Sequence, residues 1–106
     1  MTTLGTRTNG TVNATGTGQC GDLNVIESWN NIQQVDIGHS LVSGHTIGLK
    51  SDGTVEAVGK NEDGQCDVES WTDIQQVAGG DGYTVGLKSD GTVIGAGRND
   101  YGQLNF

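Results

Sequence analysis

Two cysteines, two histidines and two tryptophans are the residues of this chain best equipped for chemistry. Cys20 and Cys66 each follow a Gly-Gln pair. A zinc site needs a cluster of ligands, and neither cysteine has another Cys or a His close in sequence. Both are expected to be reduced, small core residues, with a redox or crosslinking role as the alternative. His39 and His45 lie six residues apart with no partners to fix them as a catalytic or metal pair. Ser40, Ser43, Ser51 and Ser89 lack a nucleophile elbow and ordered His and Asp partners. Asn61-Glu62-Asp63-Gly64 and Asn99-Asp100-Tyr101-Gly102 have an acidic look but not the ligand spacing of a helix-loop-helix calcium site. Trp29 and Trp71 open similar segments and are expected to pack, a sugar-stacking platform being the alternative. The reading is of a chain that is not an enzyme, with no catalytic residue, no metal and no cofactor.

Composition narrows the partners. Thirteen acids against five bases give a net charge of −8 over 106 residues. Clustered Lys and Arg for phosphate contact are missing, so no direct nucleic-acid binding is expected. No run of about 18 apolar residues is present, so no membrane is expected either. No basic region followed by an apolar stretch opens the sequence, and the expected location is cytoplasmic. Residues 1–21 hold one base and no acid, so the acids are spread over the rest of the chain. Between apolar strands they read as solvated loop residues.

The elements that must carry these residues are repeated. Ser28-Trp29-Asn30-Asn31-Ile32-Gln33-Gln34-Val35 returns 42 residues later as Ser70-Trp71-Thr72-Asp73-Ile74-Gln75-Gln76-Val77. Leu49-Lys50-Ser51-Asp52-Gly53-Thr54-Val55 returns 38 residues later at Leu87–Val93. A fainter copy opens the chain, with Thr3–Val12 aligning to Thr84–Val93, and it lacks the Trp-led segment. The segments from His45 and Tyr83 alternate apolar with small or polar residues, the period of a strand. Asp52-Gly53, Asp90-Gly91 and Asn9-Gly10 are hairpin-turn signals. No window shows a long helical period. The fold class is therefore all-β: antiparallel β-propeller blades, a partial blade over 1–27 and blades over 28–69 and 70–106.

The run from Trp71 to Gly80, then Tyr83 to Val93, then Gly97-Arg98-Asn99-Asp100-Tyr101-Gly102-Gln103, resembles the regulator-of-chromosome-condensation repeat family. The stretches from Gly38-His39 to Leu49 and from Gly59 to Gln65 fit the same pattern. The resemblance implies a seven-bladed propeller with four strands per blade, of which this chain holds about two and a half blades. It also implies protein binding. Nucleotide exchange on a small GTPase, the activity of the best-known member, is not carried over, because its exchange loops have no counterpart here. A partial propeller with bare strand edges is expected to be covered by a partner or completed by self-association, three chains supplying a ring.

The expected function is a non-catalytic protein-interaction module that meets a basic partner through acidic loop surfaces. Its candidate contacts are His39, Ser40, Leu41 and Val42 in the longer first joint, Glu62 and Asp63, Asp81, and Asp100 and Tyr101. One alternative is a small acidic inhibitor, of phage or mobile-element type, that blocks a nucleic-acid-binding protein or nuclease. A second is a lectin-like sugar binder.

Overall fold

Val, Ile, Thr and Gly fill the segments read as strands, and β-branched residues suit a pleated, half-buried surface. In the computed structural model these segments are strands. The structure describes residues 3–7, 9–15, 23–39, 44–61, 64–97 and 104. Among them the order is β1 (Thr3–Thr6), β2 (Val12–Thr15), α1 (Leu23–Glu27), β3 (Ile32–His39), β4 (Gly44–Lys50), β5 (Val55–Gly59), β6 (Ile74–Gly80), β7 (Tyr83–Lys88) and β8 (Val93–Gly97). They form three antiparallel sheets in chain order: β1-β2, β3-β4-β5 and β6-β7-β8. The helix is a single turn of five residues, in keeping with the absence of a long helical period.

The three hairpin turns share one geometry. Gly53 N donates to Lys50 O, and Lys50 N donates to Thr54 O, so the loop has three residues and ends in a left-handed glycine at φ +87°. Asp52 keeps an ordinary φ, and its role is different from that of a positive-φ turn residue. Its Oδ1 accepts from the Thr54 amide at 3.0 Å and from the Thr54 hydroxyl. Asn9-Gly10-Thr11 and Asp90-Gly91-Thr92 repeat the arrangement. This is a type I turn with a glycine bulge rather than a two-residue turn. It returns the strand in register, Leu49 opposite Val55 and Leu87 opposite Val93.

Each complete sheet has three strands among the described residues, one fewer than the resemblance implies. Among the described residues between β5 and β6, several backbone donors are spent on local closure. Gly64 N donates to Asn61 O, Asp67 N to Gly64 O, and Cys66 N to Asn61 Oδ1 at 2.7 Å. Those donors are not available for a fourth ladder.

The core lies between sheets. Ile47, Leu49 and Val55 of the second sheet cluster with Ile74 and Val77 of the third and with Val68 and Trp71 from the segment that precedes it. Val12 of the first sheet meets Ile26, Trp29 and Ile32, with Leu4 and Val35 at the margin. Each tryptophan lies over a glycine of its own sheet. A Cβ on Gly48 would stand 2.9 Å from the Trp29 ring, and one on Gly86 would stand 3.0 Å from Trp71. Only a residue without a side chain lets an indole lie that flat on the sheet.

Candidate functional site

The seam between the second and third sheets is built by side chains acting as a substitute strand. β6 is the first strand of its sheet, so one edge of its backbone has no ladder. Gln34 Nε2 donates to Val77 O at 3.1 Å, and Gln34 Oε1 accepts from Val77 N at 3.3 Å. Two residues on, Asp36 Oδ2 accepts from Gly79 N at 2.8 Å. The backbone of the preceding turn completes the seam, Gly53 O accepting from Ile74 N at 3.0 Å. Gly10 O does the same for Ile32 N at the earlier seam. Asn31 and Asp73 precede those isoleucines at φ 56° and 59°, a left-handed conformation that Asn and Asp tolerate. A Cβ on Gly79 would lie 2.7 Å from Gly38 N, so the two leading strands touch backbone to backbone.

His45 bridges this seam from β4 to β7. It is 1% exposed, and its Nε2 lies 2.7 Å from Thr84 Oγ1. The Thr84 hydroxyl donates to Gln65 O at 2.8 Å, so the imidazole supplies the proton of the first bond. Nδ1 is buried with no hydrogen-bond partner, as suits the neutral ring. Burial pushes the His45 pKa down, against the carbonyls of Tyr83 and Gly38 and the charge of Asp36. His45 aligns with Tyr83, and both pair across the strand with a glycine, Gly38 and Gly80 respectively. Its role is packing and bonding between sheets.

Of the predicted contact residues, the structure places two. His39 ends β3, paired with Gly44. Asp81 is exposed in the turn between β6 and β7. Ser40, Leu41, Val42, Glu62, Asp63, Asp100 and Tyr101 lie outside the described residues, as does Cys20. Cys66 is a half-buried free thiol whose Sγ lies 3.4 Å from Lys60 O. Burial, with the nearby Asp67 charge, pushes its pKa up to about 11, which makes it a poor nucleophile. Among the described residues no three of His, Cys, Asp and Glu gather as a metal site.

Exposed acids stand on the turns. Asp52 and Asp90 sit at the hairpin tips, and Asp73 opens β6. Hydrogen bonds from the hydroxyl and amide of Thr54 hold the Asp52 carboxyl below its ordinary pKa, and Thr92 does the same for Asp90. Both stay charged while acting as turn clamps. The seam residues Gln34 and Asp36 were not singled out by sequence. The doubled Gln-Gln in both Trp-led segments was the signal available.

Residues 74–103 match the family model of the Regulator of chromosome condensation (RCC1) repeat. The matched stretch contains the third sheet, β6 to β8. The second sheet carries the same internal sequence repeat. Among solved structures, yeast RCC1 (Prp20), crystallised bound to Kap60, matches with a TM-score of 0.69 and 21% identity over 93% of this chain and 28% of that one. The C-terminal domain of gp131 from bacteriophage phiKZ matches with a TM-score of 0.57 and 22% identity over 92% of this chain and 27% of that one. The chain thus spans little more than a quarter of each. No curated protein matches it by sequence. The fold is that of antiparallel propeller blades.

Proposed function

We propose that this chain is a non-catalytic protein-interaction module of RCC1-type blades, a partial blade over 1–27 and two more over 28–69 and 70–106. It meets a basic partner protein through the acids of its loops, in the cytoplasm. The observation that carries this reading is the placement of Asp52, Asp73, Asp81 and Asp90, all exposed, on turns between tightly packed strands. Rigid sheets that hold charged loops in place suit recognition by charge and shape. The solved complex of yeast RCC1 with Kap60 supports a protein as the partner class. His39 to Val42, Glu62, Asp63, Asp100 and Tyr101 belong to the same proposed surface.

The test neutralises the four described acids together as Asp→Asn. Proteins captured by the parent chain at low salt should be lost or strongly weakened with the variant, and 0.5 M salt should have the same effect on the parent. Capture that is unchanged by neutralisation sinks the electrostatic reading. Self-association, up to a ring of three chains, is the second reading, favoured by the exposure of Val93 and Gln76 on the last sheet. A trimer mass by light scattering supports it, and a monomer at every concentration excludes it.

A further inference from the structure

The three hairpin turns carry one pattern with one exception. A base stands two residues ahead of the clamp residue in each: Lys50 before Asp52, Lys88 before Asp90 and Arg7 before Asn9. Each clamp residue is followed by Gly and Thr. Hydrogen bonds from Thr54 hold the Asp52 carboxyl below its ordinary pKa, with the Lys50 charge adding to them, and Thr92 and Lys88 act alike on Asp90. The first turn has the base and lacks the acid. Its clamp is an amide, and Asn9 is the only asparagine of the chain that is followed by Gly.

That pair has a chemistry of its own. The amide nitrogen of the residue after an asparagine can attack the side-chain Cγ, and glycine puts no side chain in the way. Asn9 is exposed. In the closed turn its Oδ1 accepts from the Thr11 amide at 3.1 Å and from the Thr11 hydroxyl at 2.6 Å, and Gly10 N donates to Arg7 O at 3.0 Å. Those bonds open before a ring closes. The turn joins β1 and β2, which form a sheet of two strands among the described residues, whereas the other two sheets have three. A two-stranded hairpin is marginal in water and opens more readily than a larger sheet.

We infer that Asn9 is a self-modifying site, which deamidates through Gly10 to an aspartate that completes the base-and-acid pattern of the other two turns. The Gly10 nitrogen gives up its proton and bonds to Asn9 Cγ. The Cγ–Nδ2 bond breaks, and the side-chain nitrogen leaves with that proton as ammonia. Water then opens the cyclic imide. Cleavage of the new bond to Cγ restores the main chain and leaves a carboxyl group on the side chain of residue 9. Cleavage of the original peptide bond leaves isoaspartate, whose main chain is one carbon longer. The aspartate keeps the acceptor bonds that Asp52 and Asp90 already make in their turns. It also faces a cation across Thr11, whose hydroxyl oxygen accepts from Arg7 Nη1 at 3.1 Å. The isoaspartate lengthens a loop whose Gly10 O accepts from Ile32 N at 2.8 Å, so it pulls on the seam to the Trp29 segment. Either product places a negative charge in residues 1–21, which hold no acid as encoded.

The experiment ages the full chain in mildly alkaline buffer and maps its peptides by mass spectrometry, with chromatography separating aspartate from isoaspartate. Asn9 should be the first asparagine lost, and both products should appear. Asn9→Asp made directly should raise the thermal midpoint by roughly 1–5 °C, the size expected of one exposed charge pair in a small domain. Arg7→Gln should shrink that gain. Loss at Asn9 no faster than at the other asparagines overturns the proposal. So does an Asn9→Asp chain that melts no higher than the parent, or a gain that Arg7→Gln leaves untouched.

Discussion

His45 and Gln34 show how single side chains hold two sheets together. His45 is neutral in its seam, with its pKa lowered by burial, while the unfolded chain titrates it near 6.5. The stabilisation from the neutral ring is therefore complete above pH 6.5. It is lost as pH falls below that value, because the unfolded chain takes up a proton that the folded chain resists. Urea unfolding should show a lower midpoint at pH 5.5 than at pH 7.5, with a loss of up to about 1.4 kcal/mol per pH unit. His45→Gln should remove most of that difference. Asp52 and Asp90 act in a separate window: their lowered pKa values support the fold above the ordinary carboxylate range and lose that support in stronger acid. Gln34→Ala leaves the Val77 amide and carbonyl without their partner and should cost about 1–3 kcal/mol by chemical unfolding. His45 was legible as a packing position through its alignment with Tyr83. Its bond to Thr84 was not, because that bond joins residues 39 apart on different sheets.

At the scale of elements, the turns illustrate what repetition conceals. Gly53 and Gly91 occupy the same position of the same turn, at φ +87° and +89°. Alanine at either site is strained by about 1 kcal/mol or more. At Gly53 the new methyl also meets the Asp73 backbone at 3.2 Å, whereas at Gly91 it meets open space. Gly53→Ala should therefore lower the thermal midpoint clearly more than Gly91→Ala. Equal losses would mean that the seam does not bear on the turn. The strands themselves were readable from alternation and turn residues. Their ends were less so: β3 runs on to His39 and β6 to Gly80, past the apolar edges at Val35 and Val77. The extension follows from pairing with β4 and β7, a tertiary contact that local pattern does not record.

Over the whole molecule, extents of 33 × 32 × 17 Å describe a short stack of sheets whose stability resides in the seams. Trp71 fills one of them at 4% exposure. Trp71→Ala should cost about 3–5 kcal/mol, read as a fall in denaturant midpoint, and should loosen both neighbouring blades together. Val93→Asp on the open face should cost much less in the free chain, because that side chain is already exposed. A large loss there would mean that the face is already covered by another copy in solution, and light scattering would report it as a higher mass. Among the described residues no helix is long and apolar enough to cross a membrane.

The sequence by itself determined the repeat, the strand character, the three hairpin turns and the resemblance of residues 74–103 to a known repeat. These rest on local pattern: alternation, left-handed glycines and Asp or Asn ahead of Thr. The repeated Trp, Ile and Val also announced a packed face, since identical spacing in two units implies the same neighbour. Only the tertiary structure decided that Gln34 and Asp36 serve as the missing strand for β6, and that Gln76 and Val93 are exposed where their repeat counterparts in position, Gln34 and Val55, are covered. Two copies of one motif have the same local energetics, and the difference between a filled seam and an open one lies in what packs against them.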